Sequence, residues 1–523
     1  MPEHLRALVV ILILSTVVFT LAKAPLCAAA IQVNDFKRRR NLWFAVTLIA
    51  FLSHNFWMMC FLCGVVAALG AQRDPNPLAL YFALLFAVPP FAAQIPGFGG
   101  INYFFDLNYI RLLNICILVP AAARIAMSRE ARGHAPRATD LLLAGHVALI
   151  FVLTLLISNF TGTVRQAFML ALDIALPYYV ASRLPLTREA FREIAAAFLL
   201  SVAILAALAV FEFAWRWLLY NPLADALGVR WSFGSYLLRG EGGALRALAS
   251  TGHSIVLGYL LLIGFAFLFY LERMLQPQAL VLTAGALLMA GLVASVARGP
   301  WVGALAMLAV VLGIGPGAGR RLAWLFGTSA VALIVIALSP WGSVVLDHLP
   351  FVGTVEEGSV TYRQQLFNVS MILVWQNPIF GSYDYLYNPI MEQMRQGEGI
   401  IDMVNTYLGV ALSSGFVGLA LFVGPFVGAA VSVEWVRRST KGADLEADAL
   451  GRALLGAMAG IAVTIATVSP ISSIPTVYWM VAGLCVAYAR VFNGDPHAAP
   501  KPLRTGATGA TFRTSKPAEG TAR

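Results

Sequence analysis

Thr361-Tyr362-Arg363-Gln364-Gln365-Leu366-Phe367 begins the longest polar interruption in an otherwise very apolar chain. The interruption continues through Trp375-Gln376-Asn377-Pro378-Ile379-Phe380-Gly381-Ser382 and reaches Asp402-Met403-Val404-Asn405-Thr406-Tyr407-Leu408. It closes with Ser414-Gly415-Phe416-Val417-Gly418. Long apolar runs flank it on both sides, so we expect the chemistry here and a membrane scaffold elsewhere.

The composition excludes a soluble globular protein. Of 523 residues, 59% are hydrophobic and only 12% are charged, and the mean hydropathy is +0.77. Average proteins carry about twice this share of charge. Repeated apolar runs of roughly 17–25 residues are long enough to cross a bilayer as helices. The sequence therefore predicts an all-α polytopic membrane protein with about 12–14 transmembrane helices and one large external loop.

The basic residues predict the orientation. Although the net charge is +10, Lys and Arg are spread over short connections and do not form one surface, which excludes nucleic acid as a partner. Six alternate connections are basic, including those at 124–137, 183–192 and 437–441, and are predicted to face the cytoplasm. The connections at 159–165, 218–253, 297–299 and 340–404 then lie outside.

One basic cluster disagrees with this orientation. Lys37-Arg38-Arg39-Arg40 would lie outside if every early apolar run, such as 42–69, crossed once. Either the cluster anchors the chain on the unexpected side, or the run 77–94, which contains Pro89-Pro90, is re-entrant and the amino terminus lies outside. The sequence alone leaves both interpretations open.

The chain divides into four predicted regions. Residues 1–339 form transmembrane helices with short loops, 340–404 a large periplasmic loop, and 405–490 further transmembrane helices. Residues 491–523 are rich in Gly, Ala, Thr, Pro and Lys and are predicted to be a disordered cytoplasmic tail.

Three arginines are candidates for one anion site. Arg298 lies at a tight break between two long apolar runs, Arg246 precedes the run that starts near His253, and Arg363 opens the polar stretch. Guanidinium groups grip phosphate bidentately, which suits a lipid-linked diphosphate, although Arg298 could instead be an interfacial anchor. The sequence has no Asp-x-Asp pair that would suggest a metal-bound nucleotide sugar, so no metal and no cofactor are predicted.

In order and spacing, Arg298-Gly299-Pro300-Trp301, Arg363, the stretch 375–381, Val404-Asn405-Thr406-Tyr407-Leu408 and the stretch 414–418 resemble the O-antigen ligase and O-antigen polymerase family of bacterial membrane glycosyltransferases. The motifs are individually weak and together fairly specific. The resemblance covers about residues 246–433.

The resemblance implies a metal-independent transferase with a C-type glycosyltransferase fold in the bacterial inner membrane. Such enzymes take a glycan from undecaprenyl diphosphate on the periplasmic face and pass it to an acceptor hydroxyl. By this analogy Arg298 and Arg363 bind the diphosphate, with Arg246 as a third candidate. Membrane lipid, chain-length regulators and export proteins are the further partners that it implies.

The general base is the point where the sequence departs from the family pattern, which has His where this chain has Val404. Asp402 is the replacement candidate, with a helix cap as its equally weighted alternative, and Glu357, Asp384 and His253 follow. Capping or lining the next helix is the alternative role of His253. Asn405 and Tyr407 either orient substrate or satisfy backbone groups, and Tyr362 is a candidate for stacking on sugar.

The missing histidine favours a polysaccharide polymerase for O-antigen or exopolysaccharide. The first alternative is an O-antigen ligase that acts on lipid A-core or another acceptor. Alternatives of other classes are a polysaccharide or lipid-carrier transporter or flippase, which would need charges buried in mid-span, and a non-catalytic scaffold.

Overall fold

A computed structural model describes residues 1–97, 99, 102–128, 137–184, 187–229, 238–239, 244–315, 317–337, 357–395, 399–440 and 444–492. Within these ranges, nine helices are long and apolar enough to cross a membrane, and two shorter apolar helices accompany them. The predicted class, an all-α polytopic membrane protein, is confirmed. The predicted tail beyond residue 492 lies outside the residues that the structure describes.

The amino-terminal region contains one more helix than predicted. Helix α1 (Glu3–Ala29) is followed by α2 (Val33–Leu52) and α3 (Phe56–Arg73), so the run 42–69 is two helices and the single-span prediction was wrong. The break lies where Asn55 caps α3 by accepting a hydrogen bond from Met58 N at 2.9 Å. A polar cap inside an apolar run ends one helix and starts another.

The run 77–94 does not cross the molecule as one helix. Helix α4 covers only Pro77–Leu85, and the chain then forms a hairpin of β1 (Ala92–Pro96) and β2 (Tyr103–Asn108). Pro89-Pro90 lies between them, and proline cannot continue a helix because it lacks the amide hydrogen. Asn76, just before α4, donates to Glu193 Oε2 at 3.0 Å, whereas Phe86 O accepts from Ser250, next to the Ala249 amide that binds Glu212. Glu193 and Glu212 lie near opposite ends of one helix, so the segment runs from one end of that helix to the other and the re-entrant interpretation was wrong.

Two π-helical segments interrupt the next helices. The first π-helical segment, Asn114–Leu118, lies between α5 (Tyr109–Leu113) and α6 (Val119–Met127). Helix α7 (Ala138–Ile157) follows. The second π-helical segment, Ala171–Ala175, lies between α8 (Phe160–Leu170) and α9 (Leu176–Arg183). The two segments are joined because Asn114 Nδ2 donates to Leu172 O at 2.9 Å, while Tyr81 donates to Asn114 Oδ1 at 2.7 Å. This network satisfies polar groups that a π-segment leaves without a regular partner.

The centre of the molecule is a group of well-buried helices. Helix α12 (Ser254–Leu271) is the most buried span among the described residues. The elements that precede α12 in this part of the chain are α10 (Arg188–Trp215), α11 (Asn221–Leu227), β3 (Leu238–Arg239) and β4 (Ala244–Leu245). Those that follow it are α13 (Gln278–Ala294), α14 (Arg298–Gly313) and α15 (Ala318–Ala337). Nearly every residue of α12 is apolar, as expected for a helix surrounded by others.

The carboxyl-terminal part holds α16 (Glu357–Gln376), α17 (Pro389–Glu392), α18 (Thr406–Thr440), α19 (Leu445–Ile465) and α20 (Ile474–Val491). The region predicted as a loop, 340–404, therefore contains the helices α16 and α17, while 340–356 lies outside the described residues. Helix α14 packs closely on α19, because a Cβ on Gly303 would lie 2.9 Å from Gly460 O. Small residues permit such an approach in membrane helices.

Ion pairs gather at one end of the bundle, which we call the basic face. Arg39 binds Asp74 through two hydrogen bonds of 2.8 and 3.0 Å and also contacts Glu193 at 3.4 Å. Arg192 binds Glu446 on the same face. The cluster 37–40 therefore lies with the basic connection 183–192, as the positive-inside bias requires.

The opposite end carries the amino terminus and is called the site face. Helix α10 starts at the basic face, and just beyond its other end Trp217 donates to Glu3 Oε1 at 3.0 Å. Helix α20 ends at the basic face with Arg490 and starts at the site face after Ser473. The amino terminus thus lies on the side opposite to the basic residues, as the second interpretation of the sequence placed it, but the additional crossing comes from the pair α2 and α3 and not from a re-entrant run.

Candidate active site

A short connection on the site face joins three distant segments. This connection, Thr467–Ser473 between α19 and α20, is called the hub loop. Ser469 Oγ lies 2.9 Å from Asp402 Oδ1 and 2.7 Å from Met403 O, and Ser472 Oγ donates to Thr251 O at 3.3 Å. The loop therefore brings the start of α18 and the start of α12 together.

Arg298 is the first residue of α14, and the hub loop lies beside it. Its neighbour Gly299 approaches Thr467 so closely that a Cβ would meet Oγ1 at 2.2 Å. The half-buried Arg298 thus stands at a helix N-terminus, where unpaired amides and the helix dipole favour an anion. A guanidinium at this point reinforces that preference.

Arg246 reaches the same region on a tightly anchored segment. Ala247 N donates to Ala294 O at 3.0 Å, which ties the segment to the end of α13 just before Arg298. The buried carboxylate of Glu212 accepts hydrogen bonds from Leu248 N at 2.9 Å and Ala249 N at 2.8 Å. Arg246 itself is half-buried.

Glu212 positions this part of the site and was not selected from the sequence. It lies in the last turn of α10, and its other oxygen accepts from Leu219 N at 3.0 Å. A buried carboxylate that satisfies three backbone amides holds two loops in place. The available signal was a single acidic residue inside a long apolar run.

Three residues with unfavourable backbone conformations lie in the segments that meet around the hub loop. Ala249, Val296 and Ser472 have positive φ values of 47°, 45° and 51°. Such values are unfavourable for residues with a side chain, above all for β-branched valine. The surrounding contacts hold this strain in the three segments that meet around the hub loop.

His253 caps α12, which was one of its two predicted roles. Its Nδ1 accepts a hydrogen bond from Ile255 N at 3.2 Å. Burial, and then the positive charge of Arg246, lower the pKa of His253 from 6.5 to about 4. The imidazole is therefore neutral with its proton on Nε2, which makes that nitrogen a donor and disfavours His253 as the base.

Asp402 does not cap α18. Asn405 does, because its Oδ1 accepts from Leu408 N at 3.1 Å. The cap interpretation of Asp402 was therefore wrong, and its exposed carboxylate is oriented by Ser469. Asn405 has a backbone-satisfying role, and so does Tyr407, whose hydroxyl donates to Ala462 O at 3.0 Å.

The N-terminal turns of α16 lie over the Asp402 segment. Tyr362 OH donates to Asp402 O at 3.1 Å and lies 3.3 Å from Met394 O. The next residue, Arg363, is exposed. The structure therefore brings Arg298, Asp402, Arg246 and Tyr362–Arg363 to one region. Asp384 instead accepts from Ser382 Oγ at 2.7 Å, and the side chain of Glu357 lies outside the described part.

An apolar groove leads from this region toward the basic face between α14, α18 and α19. Its volume is about 750 Å³. Tyr407 lines one end, and Glu434, Trp435 and Arg438 line the other. We call it the α18 groove, and its walls are suited to a long hydrocarbon chain.

The two motifs on either side of Asp402 interlock through their backbones. Phe416 N donates to Pro378 O at 2.8 Å and Val417 N donates to Ile379 O at 3.2 Å, while Ser382 N donates to Leu412 O at 2.7 Å. Helix α18 is kinked at Gly415, so its second half needs new acceptors for its first amides. The 378–382 segment supplies two of them and fixes α16 against α18.

No group of three His, Cys, Asp or Glu side chains that could hold a metal ion occurs within the ranges that the structure describes. Metal independence stays a prediction.

These features describe a multi-pass helical membrane protein with arginines and a carboxylate near one end of an apolar groove. Residues 283–423 match the family model described as O-antigen ligase. The match confirms the predicted resemblance to the O-antigen ligase and polymerase family. It supports a membrane glycosyltransferase-like enzyme that transfers glycans.

The matched segment begins in α13 and ends in α18, so it includes Arg298, Arg363, Asp402 and the interlocked motifs. Arg246 and His253 lie before it. No curated protein matches the chain significantly.

Proposed function

We propose that this protein transfers a glycan from undecaprenyl diphosphate to an acceptor hydroxyl without a metal ion, as a polysaccharide polymerase of the bacterial inner membrane. The observation that carries the proposal is that the hub loop contacts Asp402 through Ser469 and the turn of Arg298 through Gly299, with the Arg246 segment tied to Ala294. The α18 groove begins nearby at Tyr407. A lipid diphosphate needs cations beside a hydrocarbon channel.

The arginines bind and stabilise the leaving group. Arg298 at the N-terminus of α14 and the half-buried Arg246 contact the diphosphate, and Arg363 reaches it from the first turns of α16. Negative charge grows on the diphosphate oxygen as its bond to the sugar breaks. Fixed guanidinium donors stabilise that charge most strongly in a site with little water. The prenyl tail lies in the α18 groove.

Asp402 is the general base. The acceptor hydroxyl oxygen attacks the anomeric carbon, the bond from that carbon to the diphosphate oxygen breaks, and the hydroxyl proton passes to the Asp402 carboxylate. Ser469 orients this carboxylate through the contact at 2.9 Å. An exposed carboxylate next to the arginines can meet an acceptor that enters from outside the membrane.

The site face is periplasmic in this proposal. The basic connections gather at the opposite face, and basic residues prefer the cytoplasm. Polymerase is preferred over ligase because Val404 stands where the family pattern has His. Chain-length regulators and export proteins remain the expected partners of a polymerase.

The test replaces Arg298, Arg363 and Asp402 singly with alanine in cells that make the polysaccharide. Polymer length should collapse and the lipid-linked repeat should accumulate on the periplasmic side. Arg395→Ala is the matched control, because Arg395 is an exposed arginine that pairs with Glu392. Normal polymer in all three variants at normal protein levels would refute the catalytic assignment.

Two further measurements separate the alternatives. A flippase would leave the lipid-linked repeat on the cytoplasmic side when it is inactivated, whereas a ligase would leave polymer length unchanged and prevent its attachment to lipid A-core. Purified protein should remain active in chelator, and loss of activity there would contradict the metal-independent mechanism.

A further inference from the structure

The basic face has a corner where positive charge exceeds negative charge. Arg183 and Arg490 contact Asp140 Oδ2 at 3.1 and 3.3 Å, and Arg137 extends a guanidinium to Ala489 O at 3.3 Å. Two guanidinium groups thus share the Asp140 carboxylate, and the guanidinium of Arg137 lies beside them, at the residue before Arg490. The corner carries a surplus of positive charge at the membrane boundary.

Asp140 has no capacity left to balance that surplus. Besides the guanidinium groups, it accepts from Tyr178 OH at 2.8 Å and from Arg137 N at 2.9 Å. Arg183 uses both of its terminal nitrogens on this carboxylate. A carboxylate offers about four lone-pair positions, so it cannot take every N–H group of these arginines. Arg183 also donates to Ser182 Oγ at 3.1 Å and Arg490 to Ser182 O at 2.6 Å, but these acceptors carry no negative charge that would balance the corner.

An apolar groove starts at this corner and runs along α7, between it and the α8–α9 pair. Its volume is about 710 Å³. We call it the α7 groove; Asp140, Tyr179 and Arg183 line its basic end, and Phe151 and Ala167 line its far end. It is separate from the α18 groove.

The length of the α7 groove fits one leaflet. From Asp140 to Phe151 the helix rises about 16 Å at 1.5 Å per residue, close to half of a hydrocarbon core of about 30 Å. The cationic end therefore lies at headgroup depth and the apolar part at acyl-chain depth. An anionic lipid whose hydrocarbon tail extends through one leaflet fits both the cationic end and the apolar part of the groove.

We propose that the α7 groove binds an anionic phospholipid of the leaflet at the basic face. The phosphate accepts hydrogen bonds from Arg183, which lines the groove, and one acyl chain lies along Leu143, Val147 and Phe151. Basic pockets between transmembrane helices on the cytoplasmic side are known to hold such headgroups. The site is distinct from the one proposed for glycan transfer.

The experiment titrates the purified full-length protein in detergent with phosphatidylglycerol, phosphatidylcholine or inorganic phosphate and measures bound molecules by native mass spectrometry. Wild type should retain phosphatidylglycerol in preference to the other two. Arg183→Gln should weaken that binding about tenfold, the loss of one charge-assisted contact. Asp140 keeps Arg490 and Tyr178 as partners in this variant, so the fold should persist.

Ala148→Phe tests the apolar part without changing charge. Ala148 is exposed and lines the groove, so a phenyl ring would occupy the path of the acyl chain. The controls are Arg188→Gln, an exposed arginine of the same face that pairs with Asp444, and Ala290→Phe, on the exposed side of α13. Neither control should change binding.

Three results would overturn the proposal. One is equal retention of phosphatidylcholine and phosphatidylglycerol by wild type. Another is unchanged phosphatidylglycerol binding in both Arg183→Gln and Ala148→Phe. The third is binding of inorganic phosphate that equals that of the lipid and is indifferent to Ala148→Phe, which would identify a simple anion site.

Discussion

Gly381 and Gly415 lie against each other's chain, with no room for a side chain on either. A Cβ on Gly381 would lie 2.6 Å from Gly415 N, and a Cβ on Gly415 would lie 2.3 Å from Ile379 O. Both have positive φ values, 67° and 64°. The two sequence motifs that contain them are therefore partners in one backbone junction, and their glycines serve packing more than chemistry.

Alanine at Gly415 should destabilise the protein by at least about 2 kcal/mol, because a left-handed conformation and a backbone clash add together. Thermal unfolding in detergent would measure the effect. Gly327→Ala is the control, since a Cβ there meets nothing within 4 Å. If Gly415→Ala melts like wild type, the junction is not as tight as the contacts indicate.

Asp402→Asn should reduce the transfer rate by about 10²–10⁴, the usual contribution of a general base. Ser469→Ala should reduce it less, because the carboxylate remains and loses only its orienting partner. Glycan transfer by purified protein with a lipid-linked repeat would measure both. Asp384→Asn is the matched control, and a comparable loss in it would argue against Asp402 as the base.

Stability should fall as the pH is lowered from about 6.5 to about 4 because of His253. Its pKa is lowered to about 4 in the folded protein by burial and by Arg246, so in this range the unfolded chain binds a proton that the folded chain does not. The contribution amounts to at most roughly 3 kcal/mol. This stabilising contribution is fully present above about pH 6.5 and decreases as the pH falls through the range, until it is absent below about pH 4.

His253→Asn should remove much of this pH dependence while it keeps an acceptor for Ile255 N. Melting temperatures of wild type and variant between pH 7.5 and 4.5 would show it. The variant should also retain most transferase activity at neutral pH. A complete loss of activity would restore His253 as a candidate base.

Glu212→Gln should lower both stability and activity. The amide nitrogen of glutamine cannot accept hydrogen bonds from backbone amides, so at least one of Leu219 N, Leu248 N and Ala249 N would lose its partner, at about 1–3 kcal/mol. The segment that carries Arg246 would then be held less firmly. Melting temperature and transfer rate would report the two effects, with Glu189→Gln at the basic face as control.

The sequence alone determined the class of the protein and the identity of its motifs. Hydropathy is a property of each local run, so the apolar runs predict membrane helices without knowledge of their neighbours. The spread of Arg and Lys similarly predicted which connections share a face, but it left the cluster 37–40 open, and the contact of Arg39 with Glu193 decided its side. Arg298, Arg363 and Asp402 were selected by order along the chain, and their roles stay predictions.

Only the tertiary structure decided which residues meet. Nothing local in Ser469 links it to Asp402, 67 residues away, or in Glu212 to Ala249, 37 residues away. Whether Asp402 or Asn405 caps α18 depends on where that helix starts. Its first residue, Thr406, is held by a hydrogen bond that it donates to Val468 O beside the hub loop. Hydrogen bonds between distant segments fix these choices, because a buried polar group takes whichever partner the fold brings to it.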